Sequence, residues 1–120
     1  MKVFKFEEGE TVHAAGGIVK WVIWPKTGAT GVNLHYVILP PGHTAPLHAH
    51  ENSESVTCIL QGKGKVMSDK EEYDVEAEMA VYVGKKEPHG VTNTGDMPMI
   101  MLAIQAPPDL DQYKRAGKMK

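Results

Sequence analysis

The stretch PPGHTAPLHAHENSE, residues 40–54, gathers His43, His48, His50, Glu51 and Glu54 behind a Pro-Pro-Gly turn. Imidazole nitrogens and carboxylate oxygens are the donors that hold divalent transition metals. On an extended strand, residues i and i+2 point to the same face. His48 and His50 therefore project together if APLHAH is extended. Two imidazoles so placed can both reach an ion at about 2.0–2.2 Å. A third ligand must come from elsewhere in the chain. His89 is the candidate, because Pro88 restricts the backbone of KKEPHGVTN just before a strand. Glu54, near in sequence, would add a carboxylate. The bland alternative is a surface strand on which two of six histidines happen to fall together, since short motifs match by chance.

Those side chains need a scaffold. Glycine and proline, twelve and eight of 120 residues, cut the chain into short pieces. Between the breaks lie β-branched, aromatic and alternating runs, the signature of strands. The runs are 18–24, 31–39, 55–60, 65–67, 73–75, 79–83, 89–93 and 98–105. This spacing predicts an all-β sandwich or barrel rather than βαβ units. One helix is predicted near the end, with Asp109 as N-cap, Leu110 and Tyr113 on one side and Gly117 as the stop. The length predicts one domain over residues 1–120.

Composition excludes several classes of function. Thirteen basic residues against 15 acidic ones give a net charge of −2. That balance gives no reason to expect a nucleic-acid partner, which needs a basic surface. Cys58 is the single cysteine and cannot form an internal disulfide. The N-terminus MKVFKFEEGE lacks the apolar run of a signal peptide, and no window approaches a membrane span. The expectation is a soluble cytoplasmic protein without a membrane partner. Phosphate-loop, nucleophile-elbow, paired-cysteine zinc and H-E-x-x-H patterns are missing.

The order of the motifs narrows the reading. Gly42, His48, His50, Glu54 and Gly62 are followed by His89 and Asn93. This resembles the cupin family, whose motifs read G-x5-H-x-H-x3,4-E-x6-G and G-x5-P-x-G-x2-H-x3-N. The resemblance implies a small antiparallel jelly-roll barrel (a double-stranded β-helix), with its core over about 31–105. N-terminal strands would occupy 1–30, and a tail or short helix 107–120. It implies that His48, His50, Glu54 and His89 hold one divalent ion inside the barrel. Mn, Fe, Co, Ni and Zn all suit such ligands. It implies a small-molecule ligand and a homodimer, with the KVFKF run as a possible exchanged strand. The leading expectation is a metal-dependent enzyme acting on a small oxygen-chelating metabolite by oxygenase, decarboxylase, isomerase or lyase chemistry. The alternative is a non-catalytic cupin that binds or senses a small ligand.

The sequence departs from the pattern in places. Counting forward from His50 puts Glu54 at the carboxylate position, and counting back from Gly62 puts Ser55 there. Alternation favours Glu54, because Val56, Cys58 and Leu60 would then face inward with it. In the second motif Glu78, Gly84 and Lys86 stand where the family has Gly, Pro and Gly. His35, Tyr36 and His43 are candidates for an acid, base or orienting group. His13 reads as surface. Met97, Met99 and Met101 read as core or subunit contact, Cys58 as a small buried apolar residue, and Trp21 and Trp24 as packing.

Overall fold

The alternating runs form ten strands in the computed structural model, which describes residues 1–119. They are β1 (Glu10–Ala14), β2 (Gly17–Ile23), β3 (Asn33–Leu39), β4 (Thr44–His48) and β5 (Glu54–Gln61). Then come β6 (Lys63–Met67), β7 (Glu72–Glu76), β8 (Ala80–Val83), β9 (His89–Asn93) and β10 (Met99–Ala106), with helix α1 over Leu110–Arg115. The run analysis finds eight of these ten strands; it leaves β1 out and reaches β4 only through the condition that APLHAH is extended. Residues 1–5 form no strand within the chain. No helix among the described residues is long and apolar enough to cross a membrane.

Every pairing is antiparallel. One sheet has the order β1-β2-β3-β10-β5-β8 and the other β4-β9-β6-β7. They pack face to face in the jelly-roll manner, but no ladder joins the two sheets among the described residues. The expected barrel is therefore an open β-sandwich.

Register sorts the interior into rows. Gln105 stands between Asn33 and Ser55, Ala103 between His35 and Thr57, Met101 between Val37 and Ile59, and Met99 beside Leu39. The inward face thus runs from polar to apolar along the strands. At the apolar end Leu39, Ile59, Met99 and Met101 pack with Val75 from the opposite sheet. Burying each of these side chains contributes about 1.5–3 kcal/mol. Met97 lies outside this core and is exposed.

The polar end is covered by α1. Asp109 caps it as expected, its Oδ1 accepting from the N–H of Asp111 at 3.2 Å. Gly117, at φ +74°, closes it. Tyr113 is fully buried against Trp21 and Trp24, with ring centroids 4.7 and 4.9 Å away. Leu110 turns to solvent instead. Glu78 and Lys86 adopt φ of +74° and +64°. The turns keep the left-handed backbone that glycine favours in the family pattern, at the expense of local strain.

Candidate metal centre

The site begins with an irregularity in β4. Ala45 pairs with Val91 and His48 with His89, so β4 spends three residues where β9 spends two. The extra residue is a β-bulge in an edge strand that also contains Pro46, whose missing N–H an edge tolerates. Ala45 and His48 could not share a face in a regular strand. With the bulge they do, Leu47 is turned out to solvent, and His48 comes opposite His89. The strand ends at His48, and the irregular backbone beyond it brings in His50. The ring centroids of His48, His50 and His89 lie 4.3 to 5.2 Å apart.

Each imidazole is held by its Nδ1. His48 Nδ1 lies 2.9 Å from the Pro46 carbonyl oxygen, and His89 Nδ1 lies 3.0 Å from that of Glu87. His50 Nδ1 lies 2.6 Å from Asp109 Oδ2. These oxygens can only accept, so the proton sits on Nδ1 in all three rings. The three Nε2 lone pairs are left for an ion. The trio offers one ligand atom per residue, all within 4.8 Å of one another. Desolvation, the largest cause, holds the half-buried His89 and, despite its exposure, His48 below the usual imidazole pKa. Neutral rings are what metal ligation requires. The donor set fits a divalent transition ion.

Glu54 is not brought to the trio. It faces out of the six-stranded sheet, where the Tyr82 hydroxyl donates to its Oε1 at 2.6 Å. Ser55 faces in and is 5% exposed. The expected strand phase is therefore reversed: Ser55, Thr57 and Ile59 face inward, and Val56, Cys58 and Leu60 outward. The reason is the outer face itself, where Leu34, Tyr36 and Ile38 lie beside Ile100, Leu102 and Ile104. With apolar residues on both faces, alternation does not reveal the interior. Cys58 accordingly lies half-buried on the outer face.

The three acid–base candidates occupy different places. His35 is buried, with its Nε2 2.7 Å from the Tyr113 hydroxyl. That hydroxyl accepts from Asn33 Nδ2 at 2.8 Å and so donates to a neutral His35. Desolvation, then the nearby His50, pushes His35 down to about 4, against the pull of Asp109. Tyr36 faces outward and stacks on Phe6 at 5.0 Å. His43 precedes β4 at the end away from His48, roughly 16 Å along the strand, packed against Gly16. His13 is exposed on β1.

Sequence reasoning misses the residues that surround the trio. Asp109 reads as a cap and nothing more, yet its second oxygen holds His50. Gln105 lies 3.5 Å from His50 through its amide nitrogen, and Gln112 Nε2 donates to Gln105 Oε1 at 2.9 Å. The available signal was phase: Asn33, His35 and Gln105 are polar residues in step with the apolar core of β3 and β10.

The sequence model of the cupin domain family matches residues 35–105. The chain is 31% identical over 113 residues to an uncharacterized protein of Methanocaldococcus jannaschii, covering 90% of each. It is 29% identical over 87 residues to the tetracenomycin polyketide synthase protein TcmJ of Streptomyces glaucescens, covering 72% of this chain and 58% of that one. The crystal structure of a predicted oxalate decarboxylase from Thermotoga maritima superposes with a TM-score of 0.74 at 22% identity, covering 89% of this chain and all of that one.

Proposed function

The chain belongs to the cupin family, and on that footing we propose that it is a metal-dependent enzyme acting on a small metabolite that chelates the ion through oxygen. The observation that carries this reading is the common anchoring of His48, His50 and His89 by Nδ1, which frees three Nε2 atoms. A divalent ion held there supplies Lewis-acid polarisation of a carbonyl or enolate oxygen. The protein's part is to fix the three rings, hold His48 and His89 below the usual imidazole pKa and close the polar end with α1. Oxygenation, decarboxylation, isomerisation and lyase chemistry all suit that arrangement. Glu54 as a fourth ligand would require β5 to turn over, so the three-histidine set with Ser55 facing inward is preferred.

Elemental analysis of protein purified without a nickel column tests the reading. About one transition metal per chain is expected, strongly reduced by His50→Ala or His89→Ala and unchanged by His13→Ala. Less than about a tenth of an equivalent after reconstitution would reject it. A second reading, a cupin that binds its ligand without turnover, draws support from the acid–base candidates. His35 has spent its Nε2 on Tyr113, and Tyr36 and His43 lie away from the trio. Turnover of chelating acids under air and under nitrogen separates the two.

A homodimer through the outer face of the six-stranded sheet is part of the same proposal. Leu34, Ile104 and Val56 form one apolar row, and Tyr36, Leu102 and Cys58 another. Such contiguous apolar surface is a feature of interfaces. Leu102→Lys is expected to convert the dimer to a monomer in light scattering.

A further inference from the structure

Gln105 has no role in holding the three histidines, yet it is 5% exposed and reaches His50. Its amide direction follows from neighbours that can bond in one sense only. His50 donates through Nδ1 to Asp109 Oδ2, and as a metal ligand it presents the Nε2 lone pair. Gln112 Nε2 donates to the Asp109 carbonyl at 3.0 Å, which fixes the Gln112 amide. The same nitrogen donates to Gln105 Oε1 at 2.9 Å. The oxygen of Gln105 is thereby engaged by α1 and its NH2 group is turned to the trio. There it lies 3.5 Å from His50 Nε2, too far for a strong bond. When an ion takes that lone pair, the N–H bonds of Gln105 are free for another acceptor.

Charge identifies the acceptor. Three neutral imidazoles leave a divalent ion uncompensated, Glu54 faces away, and Asp109 is one histidine removed. An oxygen bearing negative charge completes the site, and a fixed amide donor beside it strengthens its hold. We propose that Gln105, oriented by Gln112, is a specificity-determining residue that donates to a carboxylate or enolate oxygen of the small ligand held at the trio. This rests on the metal reading above. On this reading α1 contributes to the site through Asp109 and Gln112, both beyond the matched segment 35–105.

Cobalt(II)-loaded protein and oxalate, as a probe dicarboxylate, provide the test, because visible absorption follows uptake of the ion and of the acid in separate titrations. Gln105→Leu is expected to keep cobalt(II) affinity within about threefold and to weaken oxalate about tenfold or more, as loss of a bond to a charged group does. Gln112→Glu is the second variant. Its carboxylate accepts and cannot donate, so Gln105 turns its nitrogen to α1 and its oxygen to the ligand. Oxalate then weakens more than in Gln112→Ala, and the excess is lost in the Gln105→Leu background, where the new charge remains but no amide can turn. Unchanged oxalate affinity in Gln105→Leu and Gln112→Glu overturns the proposal and leaves the metal site standing. A cobalt-loaded wild type that takes up no oxalate overturns it too. Failure of the wild type to take up cobalt rejects the metal reading itself.

Discussion

Asp109 Oδ2 lies 2.6 Å from Nδ1 of His50, with the two side chains only 12% and 8% exposed. The other oxygen of the same carboxylate caps α1. One residue thus ties the docking of a helix to the orientation of a candidate ligand. Asp109→Ala is expected to weaken metal binding about 10–100-fold, measured by competition with a chromophoric chelator. Asp109→Asn keeps an acceptor and should lose less. Equal affinity in wild type and Asp109→Ala would remove the carboxylate from the site.

The reversed phase of β5 sets two adjacent residues against each other. Ile59 is 1% exposed and Leu60 46%. Ile59→Ala is expected to cost about 2–5 kcal/mol. Leu60→Ala in the isolated chain should cost under about 0.5 kcal/mol. Urea unfolding of the two variants measures the difference. Comparable losses would contradict the phase.

Acid should destabilise the fold through His35. Its pKa lies at about 4 in the folded chain, against 6.5 when unperturbed. Above pH 6.5 both states are neutral and no penalty exists. As pH falls through that value, the unfolded imidazole takes a proton that the folded one refuses. Stability is therefore lost between about pH 6.5 and 4, by roughly 3 kcal/mol for this group. His48 and His89 are shifted in the same direction and add to the fall. His35→Gln, which can still accept from Tyr113, should show a shallower decline in urea midpoints between pH 7.5 and 4.5. Parallel declines would exclude His35 as the cause.

The turn at Lys86 offers a backbone test. Its φ of +64° suits glycine, and its N–H donates to the His50 carbonyl at 2.8 Å. Lys86→Gly is expected to leave stability level or raise it by up to about 1 kcal/mol, relief of strain outweighing added chain entropy. Lys86→Val should lower it by about 1–2 kcal/mol, since a branched side chain crowds the left-handed backbone. Thermal unfolding reads both.

The strands and the helix cap were legible because they rest on local chemistry: β-branched runs between Gly and Pro, and an Asp before an amphipathic turn. The approach of His48, His50 and His89 was legible through motif order. The position of Glu54 was not, because alternation assumes that one face is wet, and Val56, Cys58 and Leu60 lie on an outer face that is also apolar. The bulge that turns His48 inward left no trace beyond Pro46. Asp109, Gln112 and Tyr113 act across the fold, so no window of sequence displays what they touch.

Both tryptophans of the chain pack on Tyr113, the residue that anchors α1 over the polar end. The protein therefore carries its own optical probe at the place where that helix docks. If α1 lifts, Trp21 and Trp24 meet water together and their emission shifts to the red. Intrinsic fluorescence during metal or ligand titration then reports whether the helix stays seated, with no label attached.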